Sequence, residues 1–566
     1  MDTDPPRDTP GPPGAVAPAP AAAPDPSGPR DDLARAADAR AAAPLLNCLL
    51  REAAEPVGES DGGVVHRLRA GGRLLRVRGT RRPARPEVRA EGAWQALGHT
   101  DLVKLVAEEL RALTGLSDSE LPAEMLDSRE AVAALLAARA RTPAPGDPYR
   151  RSEQSLITGH PFHPAPKARG GGPVAGWLPY APEAYASFPL VLLGVREDAV
   201  VEEGDTSALD RLGAAPPGYR LLPAHPWQLD LVGEVLAEAF ADGRLVRLGR
   251  TDAEVWPTAA IRTVYVPGTP VAGTPVAGTP VAGAPVAGAP VAGAPAPGPA
   301  TGTPDLFLKF SLDVRITNDI RRLWRHDLLR LRRTDRAAAH AFAGAPGAWL
   351  SDRGHRTADF AFEELAVLVR DGLHGQVPPG TTPLLAAALT EDTDVFPDNP
   401  LARATDPDAW WEAYLRAVVP PALAAFHGHG VVVEAHLQNT LIACDPSGTP
   451  VRALYRDAEG VKLLPEVTRE AGWERLVYCL FVNNLLEIAA ALAEHHPGTD
   501  PWPAVRRRLA RHGDVPEVAG LLDSPTLPGK TNLLLRWTGA DGADARYLPL
   551  PNPFGRPPGR GGPPAV

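Results

Sequence analysis

The first part of the chain contains both helical and strand-like hydrophobic patterns. Leu45, Leu46, Leu49 and Leu50 recur at the spacing of one helix face, which predicts a helix around them. The segment 62–80 alternates apolar and polar residues and is interrupted by a Gly-Gly pair, which predicts a β-hairpin.

Two further helices are predicted before residue 145. Residues 99–116 are amphipathic, with Thr100 or Asp101 available as the N-cap and Gly115 near the end. A second helix is predicted over 128–141. This first unit is therefore mixed but mainly helical.

The rest of the chain mixes the two patterns more evenly. Short strand-like runs such as FPLVLLGV and RTVYV dominate residues 150–265. Near the C-terminal end, GVVVEAHLQNTLIAC and ALYRD predict two strands joined by the turn DPSGTPV. Helical periodicity predicts helices over 318–345, 359–372, 408–428, 473–495 and 501–512.

Three segments are of low complexity. A five-residue repeat, GTPVA and then GAPVA, occupies much of 267–304, and a proline in every unit prevents helix or sheet formation. The flanking runs IRTVYV and DLFLKFSLDV predict two neighbouring strands that this insertion joins at the surface. Residues 1–30 have too few large apolar side chains to order and are predicted to be a disordered tail, and residues 549–566 form a second tail rich in Pro and Gly.

Composition narrows the class of protein. The net charge of −10 argues against a nucleic-acid binder with a generally basic surface. Cys48, Cys444 and Cys479 lie too far apart for a disulfide framework or a zinc pattern. No run of about 18 apolar residues predicts a membrane span, and the start of the chain does not have the pattern of a secretory signal. We therefore expect a cytoplasmic protein with neither a nucleic acid nor a membrane as partner.

Lysine is rare in this chain, so each lysine is a candidate functional residue. Only five of the 58 basic residues are lysines, at positions 104, 167, 309, 462 and 530. Lys167 lies in a loop with His160 and His163, each of which precedes a proline that favours extended backbone. Such a loop can bind a polyphosphate or carboxylate; the alternative is a solvated connector.

A second basic group surrounds the repeat insertion. Lys309 and Ser311 lie on the strand predicted after it, and Arg262 lies on the expected neighbouring strand. Arg321 is predicted at the start of the following helix. Cations on adjacent strands and at a helix start predict an anion site; the alternative is a charged, solvated helix face.

The third group is polar and rich in oxygen ligands. Glu434, His436 and Gln438 share one face if their segment is a strand. Asn439 and Asp457 are 18 residues apart, which lets them meet at the ends of two paired strands. Asn and Asp oxygens hold the Mg²⁺ of ATP in phosphotransferases. The residues thus predict an enzyme that uses ATP and an anionic second substrate, and a small-molecule kinase remains open.

The segments carrying these groups resemble the IucA/IucC family, the NRPS-independent siderophore synthetases. The resemblance covers about residues 40–540. It implies an α+β, cupped-hand fold with antiparallel sheets in the fingers, a mainly helical palm and a distantly kinase-like ATP site. The matching motifs, in order, are LLNCLLRE, GHPFHPAPKAR, HPWQ, PTAAIRTV, KFSLDVRITNDIRRL, GVVVEAHLQN, YRDAEG and, more loosely, LPGKTNLLLRW.

The resemblance also implies regions, which we place on this chain as expectations. The thumb would be 31–150, the fingers 151–400 with the 267–304 insertion, and the palm 401–548. A homodimer is expected by analogy alone.

The reaction implied is ATP-dependent activation of a carboxylate, typically citrate, as an acyl-adenylate. An amine or hydroxyl group then displaces AMP, and a citryl or succinyl monoamide is an alternative acid. The catalytic residues implied are Arg262, Lys309, Arg321 and His436. The nucleotide would be bound by His160, His163, Lys167, Arg262, Thr263, Lys309, Ser311, Arg321, Glu434, Gln438, Asn439 and Asp457. His436 and Thr263 would face the carboxylate substrate, with Arg321 shared between the two substrates. Glu434, Asn439 and Asp457 would hold Mg²⁺.

The chain departs from the family pattern at two positions. Ala260 stands where a serine is common, so a hydroxyl contact to phosphate is absent there. Asn484 stands where a histidine is expected, which would alter the wall of the palm.

Overall fold

A computed structural model describes most of the chain. The described residues are 29–117, 119–170, 172–268, 303–317, 319–540 and 546–555. Nearly all of the N-terminal tail and the repeat insertion, and the last eleven residues, lie outside them, so the expectations for these segments are not tested.

The helices are long in the first and last parts of the chain. A π-helical segment, Val477–Leu486, joins two of them into one continuous helix. Within the described residues the α-helices are α1 (Pro29–Glu52), α2 (His99–Thr114), α3 (Leu121–Arg139), α4 (Pro148–Glu153), α5 (Val174–Trp177), α6 (Pro226–Leu231), α7 (Gly233–Ala241), α8 (Arg325–Phe342), α9 (Pro407–His429), α10 (Arg469–Leu476), α11 (Glu487–His495), α12 (Trp502–Ala510), α13 (Pro516–Asp523) and α14 (Asn532–Trp537).

The strands are mostly short. In the same residues they are β1 (Ala54–Ser60), β2 (Gly63–Leu68), β3 (Leu74–Arg78), β4 (Ala84–Ala90), β5 (Ala93–Ala96), β6 (Val191–Arg196), β7 (Val200–Gly204), β8 (Tyr219–Ala224), β9 (Leu245–Arg250), β10 (Trp256–Pro257), β11 (Thr263–Val266), β12 (Leu306–Phe310), β13 (Arg315–Ile316), β14 (Asp319–Ile320), β15 (Ala348–Leu350), β16 (Asp352–Ala358), β17 (Val367–Asp371), β18 (Thr382–Leu385), β19 (Val431–Val432), β20 (Thr440–Cys444), β21 (Pro450–Arg456), β22 (Lys462–Leu463), β23 (Thr526–Lys530) and β24 (Tyr547–Pro551).

The first unit combines α1–α3 with an antiparallel meander of β1 to β5. The predicted hairpin is confirmed as β2 paired with β3. Helix α2 is confirmed with Gly115 as its left-handed C-cap, but the predicted N-cap is wrong because the helix begins at His99 after Gly98. Helix α3 begins seven residues before the predicted position.

The helix α14, far away in sequence, packs against this first unit. Leu533 and Trp537 share a core with Leu45 and Leu49 of α1. The Glu52 carboxylate accepts hydrogen bonds of 2.9 Å from the amides of Leu533 and Leu534. The C-terminal part of the chain therefore closes back onto α1.

The middle of the chain builds two antiparallel sheets around one apolar core. One sheet has the order β10-β11-β12-β17-β16-β7 and the other β8-β6-β9. The strands flanking the repeat insertion pair as predicted, with Thr263 opposite Lys309. This pairing fixes the two basic segments side by side.

The last part combines α8–α13 with the four-stranded sheet β15-β21-β20-β18. The predicted pairing of β20 with β21 is confirmed, with Thr440 opposite Tyr455. Asp445 forms the turn between them by accepting the amide hydrogens of Ser447 and Thr449. The mixture of helices with mainly antiparallel sheets confirms the α+β class.

Three predicted elements are wrong. Residues 367–371 form the buried strand β17 rather than part of a helix over 359–372. The helix predicted from residue 318 begins at Arg325, so Arg321 does not lie at a helix N-terminus. The segment 433–439 is a turn, so Glu434, His436 and Gln438 do not share a strand face.

The helix Arg469–His495 lies in the protein core. Of the described residues, it alone is long and apolar enough to cross a membrane, with a mean hydropathy of 1.8 over its most apolar window. Because 72% of that window is buried against the rest of the protein, the apolar residues are accounted for as core.

Candidate active site

The centre of the site is a buried lysine held by two carboxylates. The Lys309 ammonium on β12 donates to Asp457 Oδ1 and to Glu459 Oε2, each at 2.6 Å. Only 4% of Lys309 is exposed. A cation this deeply buried requires such partners, because removing an ammonium group from water without a counter-ion costs on the order of several kcal/mol.

Asp457 is fixed from behind by a second ion pair. Arg370 on β17 donates to both carboxylate oxygens of Asp352, at 2.6 and 3.1 Å, and to Asp457 Oδ1 at 3.1 Å. Asp352 also accepts the amide hydrogen of Ala458 at 2.8 Å. Burial opposes ionisation of Asp457, but Lys309 and Arg370 hold its pKa well below the usual range. The loop after β21 is thus anchored with a charged carboxylate facing Lys309.

Arg262 lies beside Lys309 and is anchored by one side of its guanidinium. Its Nη1 donates to the carbonyl oxygens of Arg321 and Arg322, at 2.9 and 3.2 Å. Its Nη2 is 3.5 Å from Glu459 Oε2. Glu459 therefore touches two of the cations predicted to bind phosphate.

Arg321 is close to Arg262 although the predicted helix start is absent. It donates to the carbonyl oxygen of Ile316 at 2.7 Å and to the Thr317 hydroxyl in the hairpin of β13 and β14. Burial and the neighbouring Arg262 lower the pKa of Arg321 to about 10. An anion bound here would relieve that repulsion.

Two of the predicted nucleotide-binding side chains on these strands are buried. The Ser311 hydroxyl, 1% exposed, accepts the amide hydrogen of Leu323 at 2.8 Å. Thr263 is 4% exposed. Ser311 in this state fastens the chain after the hairpin.

The turn 433–439 brings Glu434 and His436 together. Burial raises the pKa of Glu434, but Arg475 and His436 outweigh this and lower it to about 2. Its Oε2 is 3.7 Å from His436 Nε2, and its other oxygen pairs with Arg475. A Cβ on Gly460 would approach the Glu434 carboxyl carbon to 2.7 Å, so any other residue there would displace this carboxylate.

The turn is held by Asn484, which lies in the π-helical segment Val477–Leu486. Its side-chain amide donates to the carbonyl oxygen of Ala435 at 2.9 Å, and its oxygen accepts from the Tyr414 hydroxyl at 2.6 Å. Asn484 is fully buried. The departure from the family pattern at this position is therefore a structural contact beneath the turn.

Asn439 and Asp457 lie where the strand pairing predicted. Asn439 precedes β20, its carbonyl oxygen accepts the amide hydrogen of Arg456 at 3.2 Å, and Asp457 follows directly. Gln438, the residue before Asn439 in the turn, is exposed, and its carbonyl oxygen accepts from the Arg456 guanidinium at 2.9 Å.

Carboxylate and amide oxygens of this kind are ligands suited to Mg²⁺, which usually takes one or two carboxylates plus phosphate oxygens. Within the described residues, no three His, Cys, Asp or Glu side chains form a cage for a metal ion. The donors fit an ion that arrives with a nucleotide.

The loop after α4 carries three predicted nucleotide-binding residues, His160, His163 and Lys167, which differ in their exposure to solvent. His160 is exposed, whereas His163 is 2% exposed and accepts the Ala165 amide hydrogen at 3.1 Å. The Lys167 ammonium is buried and pairs with Glu183, which Arg169 also contacts at 3.2 Å. Of the three predicted residues, His160 is the one that solvent reaches.

His160 lies among other basic groups. The surrounding protein lowers its pKa, and His436, Arg51 and Lys530 contribute to the same effect. Arg51 at the end of α1 stacks on the Phe162 ring, 3.2 Å from its centroid. Segments from the beginning, middle and end of the chain thus meet around this histidine.

Sequence reasoning missed four residues of the site: Glu459, Arg370, Arg475 and Lys530. Glu459 lies in the quoted motif YRDAEG, where a second carboxylate two residues after Asp457 was the available signal. Arg370 was hidden by the mistaken helix. Lys530, whose pKa is lowered by burial and by Arg475, was given no role, although lysine is rare here and the looser motif LPGKTNLLLRW contains it.

Two family profiles match separate parts of the chain. Residues 148–276 match the IucA / IucC family. Residues 408–545 match a family described as ferric iron reductase FhuF-like transporter.

Curated relatives align over most of the chain. An L-2,3-diaminopropanoate–citrate ligase of Staphylococcus aureus (strain NCTC 8325 / PS 47) is 26% identical over 476 residues, covering 72% of this chain and 75% of the relative. The rhizobactin siderophore biosynthesis protein RhbC of Rhizobium meliloti (strain 1021) is 27% identical, covering 71% and 75%.

Solved structures share the fold. ATP-bound aerobactin synthetase IucA from Klebsiella pneumoniae has a TM-score of 0.73 at 22% identity, covering 91% of this chain and 99% of that one. The petrobactin biosynthesis protein AsbB of Bacillus anthracis str. Sterne has a TM-score of 0.71 at 16% identity, covering 92% and 96%. Together with the family segment and the citrate-ligase relatives, these matches confirm the predicted resemblance of this chain to the IucA/IucC family.

Proposed function

We propose that this protein is an ATP-dependent siderophore synthetase that joins a carboxylic acid, citrate in the first place, to an amine or hydroxyl group. The observation that carries the proposal is the meeting of Lys309 and Arg262 with Asp457 and Glu459. Cations and oxygen ligands at one point suit a nucleotide phosphate and its metal ion. One relative is named as a citrate ligase and one solved structure as an aerobactin synthetase, which supports the same class of ligase reaction.

The proposed reaction has two steps. A carboxylate oxygen of the acid attacks the α-phosphorus of ATP, the bond to the β-phosphate bridging oxygen breaks, and pyrophosphate leaves. The nucleophile then attacks the acyl carbon, loses its proton and expels AMP. Both substrates of the first step are anions, so the rate depends mainly on neutralising and positioning them.

The residues divide this work by position. Arg262 and Lys309 would hold phosphate oxygens, and Arg321 would draw in the carboxylate beside them. His436, oriented by Glu434, would take the proton of the nucleophile or position the acid. Mg²⁺ bound by Asn439 and Asp457, with Glu434 beside them, would supply positive charge to the phosphates.

The remaining features of the proposal follow the family. The thumb, fingers and palm would be 31–150, 151–400 and 401–548, the enzyme would act in the cytoplasm, and two copies would form a dimer. Size-exclusion chromatography with light scattering tests the dimer directly.

Product identity tests the proposed function. Purified protein is incubated with ATP, Mg²⁺ and citrate, then with a panel of diamines, amino acids and hydroxylated amines, while AMP, ADP and pyrophosphate are quantified. We expect AMP and pyrophosphate in equal amounts, dependent on citrate and increased by one nucleophile. Activity only with a citryl or succinyl monoamide would keep the synthetase reaction but replace citrate as its acid substrate. ADP as the product would establish a kinase instead.

A matched pair of variants ties the result to the site. Lys309→Ala is expected to abolish product formation. Lys104→Ala removes an exposed lysine on α2 whose ammonium is 3.0 Å from Asp101, and it should retain full activity.

A further inference from the structure

Glu459 differs from Asp457 and Asp352 in its hydrogen-bond and ion-pair partners. Asp457 keeps Arg370 as a partner independent of Lys309, and Asp352 is bound by Arg370 and a backbone amide. Among the described residues, by contrast, the partners of Glu459 within 4 Å are Lys309 and Arg262, the two cations assigned to phosphate.

Lys309 and Arg262 each have another hydrogen-bond acceptor, so both can release Glu459. Arg262 is anchored through Nη1 to two backbone carbonyls, which leaves Nη2 to face Glu459. Lys309 has Asp457 as a second acceptor, so it can turn from Glu459 without losing all compensation. About 20% of the Glu459 side chain is exposed, so solvent reaches part of it.

The cations that contact phosphate in this proposal are paired with carboxylates before any nucleotide binds. Lys309, Arg262 and Arg370 contact three carboxylates, Asp352, Asp457 and Glu459, and Arg321 beside Arg262 adds a further positive charge. A triphosphate that enters this site meets cations that already have partners, and the nearest carboxylate repels it. The site therefore needs one carboxylate to give up its cations.

We propose that Glu459 is a positioning residue that occupies the phosphate site as an internal anion and yields Lys309 and Arg262 to the nucleotide. It keeps the two cations compensated and correctly spaced in the empty enzyme. The cost is competition with the incoming phosphates. This inference rests on the proposed function, since it assumes that Lys309 and Arg262 bind ATP.

The test measures binding without turnover. ATP is titrated calorimetrically into the full-length protein in EDTA, so that the charge of the triphosphate is not offset by a metal ion. Glu459→Gln leaves one net positive charge beside the phosphates, and we expect it to bind ATP about ten- to a hundredfold more tightly than the wild type. With Mg²⁺ present the advantage should shrink, because the metal ion already offsets part of the phosphate charge.

Two further variants exclude trivial explanations. Glu412→Gln removes the same charge from the pairs with Arg507 and Arg508 between α9 and α12, and its affinity for ATP should equal that of the wild type. Glu459→Ala replaces Glu459→Gln if the latter does not fold, as judged by its melting curve, and the same tightening is expected.

Equal or weaker ATP binding by the Glu459 variants, with clear binding by the wild type, overturns this inference and leaves the proposed function intact. If neither wild type nor variants bind ATP in EDTA or Mg²⁺, both the inference and the proposed function fail. Tighter binding by the variants, with a wild type that turns over neither citrate nor a citryl or succinyl monoamide, supports the inference and rejects the synthetase reaction.

Discussion

The buried pair of Glu153 and Arg456 gives a sharp test of how the site is held in place. Arg456 ends β21, and its guanidinium donates to both oxygens of Glu153, at 2.6 and 3.1 Å. Glu153 also accepts from the Tyr149 hydroxyl at 2.8 Å and from the Ala259 amide at 3.0 Å. One carboxylate thus joins α4, the strand before Asp457 and the turn before Arg262.

Glu153→Ala removes all four of these hydrogen bonds. The Glu153 side chain is fully buried and that of Arg456 is 5% exposed, so a buried charge is left without its counter-ion. Breaking one side of such a pair costs about 3–5 kcal/mol. Arg456 retains the Gln438 carbonyl as an acceptor, which places the expected loss of stability near the lower end.

The assay is thermal unfolding followed by tryptophan fluorescence. A loss of about 3 kcal/mol lowers the melting temperature by about 3–6 °C, according to how many residues unfold together. Glu238→Ala is the control, because that carboxylate is 88% exposed and 3.4 Å from Arg244, and it should leave the melting temperature unchanged.

The double variant Glu153→Leu/Arg456→Met separates charge from packing. It should be more stable than Glu153→Ala, because neither charge is then left buried alone. A Glu153→Ala protein that melts with the wild type would refute the reasoning.

Three further predictions concern other parts of the molecule. Burial raises the pKa of Glu52 from 4.5 to about 7, although the Leu533 and Leu534 amides oppose this, so the folded state holds the proton more tightly than the unfolded state. The free energy of unfolding of the wild type should therefore fall by about 3 kcal/mol relative to that of Glu52→Gln as the pH rises from 4.5 through 7. A difference in urea unfolding that does not change with pH would contradict this. Asn484→Ala leaves the Tyr414 hydroxyl unpaired and frees the Ala435 carbonyl, so it should cost about 1–3 kcal/mol and lower kcat, with Tyr414→Phe recovering part of the stability but not the activity. Arg370→Ala should abolish activity and lower the melting temperature more than Arg353→Ala, because Asp352 is fully buried whereas Arg353 is 41% exposed.

Strand pairing carried the successful predictions about the site. The apolar runs flanking the repeat placed Arg262 beside Lys309, and the turn between β20 and β21 placed Asn439 beside Asp457. Each pairing joins segments whose apolar pattern and turn residues are local signals. Short-range patterns thus predicted which functional residues become neighbours.

The errors arose where a local pattern fits two structures. The run containing Arg370 is apolar enough for a buried strand or a helix, and periodicity does not separate them. The valines before Glu434 suggested a longer strand, but β19 ends at Val432 and a turn follows. Both errors concealed ion pairs, Arg370 with Asp457 and Arg475 with Glu434.

Long-range packing was not predictable from local patterns. The contact of α14 with α1 joins residues more than 480 positions apart. This contact between α14 and α1 brings Lys530 close enough to His160 to lower its pKa. Only the folded chain shows that the last lysine and the first helix belong to the same neighbourhood.

Citrate-dependent exchange of labelled pyrophosphate into ATP tests the central claim most directly. The exchange requires reversible formation of an acyl-adenylate and needs no knowledge of the nucleophile. We predict exchange with citrate in the wild type and in Lys104→Ala, and its loss in Lys309→Ala. Absence of exchange in a folded, ATP-binding wild-type protein with citrate or a citryl or succinyl monoamide, or equal exchange in Lys309→Ala, would contradict the account.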